Sequence, residues 1–537
     1  MSTEFAYDTL EYPAHVLPQM HPSRLAAIGR LHGLACAAPS HCRLLEVGCG
    51  DGLQLLALAL AYPHSQFVGI DMSEKAIARG ETFRQRLGLD NLALAQADLT
   101  QWEPGERAFD YITAHGFYSW VPAQVREHLL ALCRQKLASA GIAYISYNAL
   151  PGCHLRRLVW DMLRHHCADV DEPAARIAHA RQFLRWLGAA TPEGKPYAAV
   201  IRDEAGELLR RTDHSVLFHD DLAQINEPLS ITAFAAQAQA HGLEFLAEAD
   251  YHEMSDAALA PEARPGLAAL ANGDLLQREQ YLDFLKGRRF RQTLLCRAEA
   301  AVMRPADASA TRGLQAAGHL QREEARTGSG DDAVVFRGSS GSSGSAGNAV
   351  LSTDHPVIQA ALDVIGSAFP MPLAFDALLT RARATSRSVA SEDEDADALA
   401  KALLRGFEHG LLGLHCEPPG FASEPGATPR ASALARLQLE AGADCVASLR
   451  PSMVRLDSRL AVELIQLLDG SRNHEALLQD LALRMASLPA ESNDGEQPMR
   501  SAAWWRQHLA PQLIDGLQQA AQMALLEETP SPAQRTT

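Results

Sequence analysis

Arg43-Leu44-Leu45-Glu46-Val47-Gly48-Cys49-Gly50-Asp51-Gly52 is a short apolar run followed by three glycines, and a helical pattern from Leu53 to Ala61 comes next. An apolar run ending in glycines predicts a buried parallel strand that turns sharply into a helix. Such a turn brings bare backbone N–H groups and the positive helix end towards a ligand. Dinucleotide sites space their glycines G-x-G-x-x-G and seat a pyrophosphate on the helix N-terminus. Here the spacing is Gly48-x-Gly50-x-Gly52, with Glu46 before it and Asp51 inside it. Two carboxylates would repel a pyrophosphate, so a ligand without phosphate that carries an ammonium fits better.

Outward from this turn, Gln66 to Ile70 reads as a second strand ending at Asp71. That acid lies about 20 residues past the glycines, where a βαβ unit sets a carboxylate on ribose hydroxyls. An Asp after a strand is also a common helix N-cap, but Ser73 can cap the next helix, from about Glu74 to Leu87, and leave Asp71 for the sugar. Leu92 to Gln96 is a third strand leading to Ala97-Asp98-Leu99, with Asp98 placed to accept from an adenine amino group. A sulfonium-bearing nucleoside with an amino-acid tail meets all these demands, which points to S-adenosyl-L-methionine. A fourth strand, Phe109 to Thr113, runs into Ala114-His115-Gly116-Phe117-Tyr118-Ser119-Trp120-Val121-Pro122. A helix from about Gln124 to Leu137 and a fifth strand, Gly141 to Tyr147, follow. Five strand–helix alternations predict an α/β fold with a doubly wound, Rossmann-like parallel sheet and ligands at the carboxyl ends of its strands.

The 537 residues carry 48 Lys+Arg against 65 Asp+Glu, a net charge of -17, so no nucleic-acid partner is expected; the one basic cluster, Lys286 to Arg291, is small. Nine cysteines, scattered without C-x-x-C pairs, speak against a disulfide framework and against a metal site. The start, MSTEFAYDTL, lacks a basic and then apolar leader pattern. No window holds about 18 uninterrupted apolar residues. The expectation is a cytoplasmic protein without membrane insertion.

These residues carry a resemblance. Glu46 to Gly52, Asp71, Asp98 and the strand ends at His115 and Tyr147 match, in order, the landmarks of class I S-adenosylmethionine-dependent methyltransferases. Tyr12-Pro13, His21-Pro22, the run from Asp110 to Pro122 and Ser146 to His154 resemble the bacterial members that carry a methyltransferase regulatory domain. So do Leu217 to Leu222 with Asn226-Glu227-Pro228, and Glu279 to Cys296. That group includes rickettsial protein-lysine methyltransferases. The resemblance covers roughly residues 5–300 and departs from the family at Leu150 and Cys153, where aromatic residues are expected. It implies a homodimer, which the residues themselves leave open.

The resulting organisation is a cofactor-binding core with an N-terminal lid at 1–154 and a regulatory or middle region at 155–300. Within the latter, Gly242 to Glu248 and Arg291 to Cys296 are two strands expected to close the core sheet, which makes 155–228 a helical insertion. Residues 301–350, with the Gly/Ser run from Arg337 to Gly347, read as a flexible linker. Residues 351–530 read as a mainly helical docking region that resembles the family's winged-helix-like C-terminal part.

For the chemistry, Glu46, Gly48, Cys49, Gly50, Gly52, Asp71, Met72, Asp98, Leu99 and His115 are the candidate cofactor residues. Tyr7, Tyr12, Trp120 and Asn148 are placed at the acceptor pocket, and Tyr118, Tyr147 and His115 are the candidate catalytic side chains. Methyl transfer is an in-line displacement, so the protein must align the nucleophile and make it available. A lysine acceptor must first lose its proton, which an aromatic, desolvating pocket promotes. A protein lysine is the expected acceptor because a small molecule hardly needs so large an extension. A small-molecule or natural-product acceptor is the alternative, followed by a non-catalytic regulator that keeps the cofactor site.

Overall fold

The computed structural model describes residues 6–323, 333–338, 349–386, 388–418, 420–488 and 500–528. Its centre is one sheet built from β1 (Arg43–Val47), β2 (Gln66–Asp71), β3 (Leu92–Gln96), β4 (Phe109–Ala114), β5 (Leu137–Asn148), β6 (Leu243–Glu248) and β7 (Phe290–Arg297), in the order β3-β2-β1-β4-β5-β7-β6. β1 pairs in parallel with β2 on one side and with β4 on the other, so the chain changes direction across the sheet at this point. That is where an open α/β sheet parts its connections and leaves a crevice. The sheet is not wholly parallel, as the alternation predicted: β7 runs antiparallel to both β5 and β6.

β1, β4 and the Gly141 to Tyr147 part of β5 are buried on both faces, which explains their near-continuous apolar reading, while β3 at the sheet edge is mostly half-buried or exposed. The helix Glu74–Leu87 starts at Ser73, whose hydroxyl accepts from Ala76 N, and stops at Gly88 in the left-handed conformation. This helix crosses the glycine turn closely. A Cβ on Gly80 would lie 2.0 Å from the Asp51 carbonyl oxygen and 2.8 Å from the Leu94 side chain. Gly80→Ala is therefore expected to cost about 1–3 kcal/mol, the usual range for forcing atoms into a packed site, and to lower the thermal midpoint. A melt unchanged from wild type would show that the helix can back away.

Between β5 and β6 the chain inserts helices Gly152–His166, Pro173–Ala190 and Pro196–Arg210 and a π-helical turn, Leu217–Asp221, around their own apolar core of Val159, Leu163, Ile177, Leu184, Ile201 and Leu208. β7 is tied to the flanking helix Leu275–Lys286 by Arg291. This fully buried guanidinium bonds to Glu248 at 2.6 Å, Asp283 at 2.9 Å and Glu279 at 3.1 Å. The basic run Lys286 to Arg291 is thus largely spent inside the protein. Arg288 meets Glu253 and Asp283, Arg289 meets Glu204 and Glu207, and Lys286 meets Glu253.

The linker expected over 301–350 is corrected. Gln315–Ala317 pairs with Leu373–Ala374 and Gly413–His415, while Val334–Gly338 pairs with Leu320–Arg322 on one side and Ala349–Thr353 on the other. The Gly/Ser run itself, from Ser339 onward, lies outside the described residues. The helices Pro356–Ala368, Phe375–Ser386 and Glu392–Glu408 share one apolar core with the helix Pro22–Leu31 and the helix Leu53–Ala61. Helices Ala433–Glu440, Arg459–Leu467, His474–Ser487 and Ala502–Gln522, with the hairpin Cys445–Ala447 and Met453–Arg455, close a separate core. No helix among the described residues is long and apolar enough to cross a membrane.

Candidate active site

A cavity of about 660 Å³ opens at the carboxyl ends of β1, β2, β4 and β5. It is lined by Glu46, Gly48, Cys49, Gly50, Asp71, Met72, Asp98 and Leu99 and by Tyr7, Tyr12, Trp120, Asn148 and Asp220, with His115 also in its wall. The turn after β1 is held open by glycines in the left-handed region, with Gly48 at φ +73°, Gly50 at +58° and Gly52 at +73°. Nothing lies within 4 Å of a Cβ built on Gly50, which therefore faces the open cavity. Gly52 is not a lining residue. It starts the helix Leu53–Ala61, and a Cβ there would press on the Leu94 side chain at 2.8 Å.

Asp71 ends β2 with one carboxylate oxygen accepting from Gly50 N and the other from Ser73 N, both at 2.8 Å. Burial raises its pKa against the pull of those two bonds. Asp98 is fixed by Thr100, whose N–H and hydroxyl both donate to Oδ1 at 2.9 Å. Glu46 lies buried near two other carboxyl groups. It is 7% exposed, its Oε2 has no hydrogen-bond partner, and burial together with Asp51 and Asp71 pushes it up to about 8. An unpartnered buried carboxylate calls for a cationic group beside it.

The part of the cavity lined by Tyr7, Tyr12 and Asp220 is assembled from distant segments. Tyr7 stacks on His219 with ring centroids 4.1 Å apart, and the Tyr12 hydroxyl donates to Asp220 at 3.4 Å. Both come from an N-terminal arm held to the helix Glu74–Leu87 by the Arg79–Glu11 ion pair at 3.0 Å and by Asp8, which accepts from the Ser73 hydroxyl at 2.5 Å. Asp220 sits on the π-helical turn, a local distortion frequent at functional sites. Its neighbour Asp221 is consumed by Arg156 at 2.7 Å, Arg211 at 3.3 Å and Trp160 at 2.6 Å. Burial and the adjacent Asp221 push Asp220 up to about 6 in spite of the two arginines.

Tyr118 and Tyr147 do not reach the cavity, which corrects their assignment as catalytic side chains. Tyr118 is fully buried and donates to Gln237 at 2.7 Å. Tyr147 is 1% exposed and stacks on Phe234 at 4.3 Å. On β5, Ala143, Ile145 and Tyr147 face one core while Asn148 turns to the cavity, as strand alternation requires. His15, Phe290 and Asp220 line the cavity unforeseen. Asp220 and Phe290 each carried a signal, being inside the stretches Leu217 to Leu222 and Glu279 to Cys296 that resemble the family, and His15 belongs to the N-terminal segment read as a lid.

Three family models match the chain: a methyltransferase domain over residues 38–170, a predicted methyltransferase regulatory domain over 213–297, and the C-terminal winged helix domain of PKMT over 428–525. An uncharacterized protein of Rickettsia prowazekii (strain Madrid E) is 30% identical over 239 residues, 44% of this chain and 95% of that protein. The chain belongs to the class I methyltransferases that carry this regulatory domain. S-adenosylmethionine is the cofactor that goes with that domain. A second uncharacterized protein of the same organism is 34% identical over 299 residues, 56% of this chain but only 54% of that protein, so the match spans about half of its length. The fold of this methyltransferase is also that of PKMT2 from Rickettsia typhi, solved in complex with AdoHcy. The two superpose with a TM-score of 0.81 at 23% identity, over 96% of this chain and 99% of that one.

Proposed function

We propose that this methyltransferase transfers a methyl group from S-adenosyl-L-methionine to a lysine side chain of a protein. The observation that carries this reading is Asp220, a carboxylate in the cavity wall among Tyr7, Tyr12, Trp120 and Phe290. The nearby arginines are already engaged, Arg156 with Asp221 and Arg289 with Glu204 and Glu207. A negative group attracts an alkylammonium, and the aromatic faces around it desolvate the amine and favour the loss of its proton. The PKMT winged-helix match and the PKMT2 likeness point the same way.

The cofactor end fits the ligand residue by residue. Glu46 would take the ammonium of the methionine moiety, which its unpartnered Oε2 calls for. Asp71 would take the ribose hydroxyls and Asp98 the adenine, while Gly48 and Gly50 leave room for the ligand. The bound cofactor supplies the electrophilic methyl. Tyr7 and Tyr12 serve as a lid over the acceptor end, on an arm held by exposed ion pairs that are individually weak.

Two tests follow. Native host proteins are incubated with labelled cofactor, alongside the same proteins with acetylated lysines. Label is expected only in the unblocked sample, as methyl-lysine after hydrolysis; equal labelling of both would reject lysine. The second concerns pH. Glu46 is protonated below about 8, whereas a ligand ammonium favours its ionised form, so binding must expel a proton and affinity must weaken as pH falls from 8 towards 6. Calorimetry in buffers of different ionisation enthalpy is expected to show proton release near pH 7 in wild type and much less in Glu46→Gln. Identical release in both would remove Glu46 from the ligand's contacts.

A further inference from the structure

The wall of the cavity at His115 continues inward as a chain of polar groups. His115 Nδ1 lies 2.8 Å from the Tyr144 hydroxyl, which donates to Gln292 Oε1 at 3.0 Å. Gln292 Nε2 in turn donates to Asp250 Oδ2 at 3.4 Å. Asp250 is 6% exposed and also receives Arg24 at 3.3 Å and Gln19 at 3.3 Å. Tyr144, in the middle of the chain, is fully buried.

The direction of every proton in this chain follows from its far end. Asp250 Oδ2 accepts from Gln292 Nε2 while Oδ1 faces the Arg24 guanidinium at 3.3 Å, so Gln292 presents its NH₂ there. The amide oxygen of Gln292 then faces Tyr144 and takes the one hydroxyl proton. Tyr144 oxygen is left with lone pairs towards His115, so the His115 nitrogen facing it must carry a proton. The ring is neutral near pH 7, because burial pulls its pKa down to about 4, and a neutral imidazole holds one proton. Nδ1 has it. Nε2 is therefore an acceptor, on a residue that lines the cavity and sits edge to face with Phe290 at 5.7 Å.

We propose that His115 is a catalytic residue that accepts an N–H of the incoming amine on Nε2, and that Tyr144, Gln292 and Asp250 are positioning residues that lock its tautomer. An amine tethered in this way has its rotation restricted, so its lone pair is held in one direction for in-line attack. The same locked acceptor rejects a carboxylate nucleophile, since two sets of lone pairs would face each other, so the chain selects an N–H-bearing acceptor. The selectivity half of the proposal rests on the lysine reading above. The tautomer half does not.

The test separates them. Nitrogen-15 NMR of the substrate-free chain labelled at its 21 histidines, with His115→Gln to identify the signal, reads the protonated nitrogen directly. The proposal expects protonated Nδ1 and bare Nε2 in wild type, with a mixture of tautomers in Tyr144→Phe and in Gln292→Leu. A bare Nδ1 in wild type, or a spectrum unmoved in both folded variants, overturns the lock. In turnover with a lysine-bearing protein, Tyr144→Phe is expected to lower kcat about 10-fold, the worth of one hydrogen bond, at unchanged cofactor affinity. Unchanged kcat in a variant whose tautomer has shifted overturns the role of Nε2 while leaving the lysine assignment to its own test.

Discussion

Asp71→Ala is expected to weaken S-adenosylmethionine binding by at least about 100-fold. A carboxylate that takes two ribose hydroxyls contributes about 1.5–3 kcal/mol for each charged hydrogen bond, and every 1.4 kcal/mol is tenfold in affinity. The side chain also ties Gly50 N and Ser73 N, so alanine loosens the glycine turn as well. Asp71→Asn separates the two effects, since one amide oxygen can still hold one of these N–H groups. Titration calorimetry gives the affinity and a thermal melt reports the fold. Wild-type affinity in a folded Asp71→Ala protein would mean that the nucleoside does not lie on β2.

Asp220→Asn is expected to lower kcat/KM for a lysine-bearing protein by about 100-fold with cofactor affinity changed less than about 2-fold. The substitution keeps size and an acceptor for the Tyr12 hydroxyl but removes the charge, which is worth about 3 kcal/mol for a charge-assisted bond in a partly buried site. The sign of the effect discriminates between acceptors. An anionic small molecule would gain from the loss of negative charge, so a raised kcat/KM for such an acceptor, with none for lysine, would overturn the protein-lysine reading. Steady-state kinetics at fixed pH with both kinds of acceptor decide the matter.

How far the residues could be read differs along the chain. β1 to β4 stand within a residue of the expected positions, because short apolar runs between glycines and caps leave few alternatives. The sequence does not say which face a side chain takes when a strand is buried on both sides. Ile142-Ala143-Tyr144-Ile145 is apolar throughout and hides the faces of the strand, whereas Ile145-Ser146-Tyr147-Asn148 alternates and already sets Tyr147 with Ile145, opposite Asn148, a signal that its place at a strand end outweighed. Tyr118 and Trp120 diverge because Tyr118–Trp120 is a single 3-10 turn that sends them to different sides.

Asp220 belongs to the site through tertiary packing alone, more than 200 residues after the arm that carries Tyr12 and on a turn with no catalytic spacing of its own. The linker reading over 301–350 failed for a related reason. Val334–Gly338 and Ala349–Thr353 pair across the Gly/Ser run, and a composition dominated by that run hides the strands beside it.

The most direct measurement is transfer of tritium from labelled S-adenosylmethionine into a whole host lysate fractionated by size, with Asp71→Ala as the blank. Label in discrete protein bands, recovered as methyl-lysine and absent from the blank, is the predicted result. Label confined to the small-molecule fraction, or none at all from a chain that binds the cofactor, would contradict it.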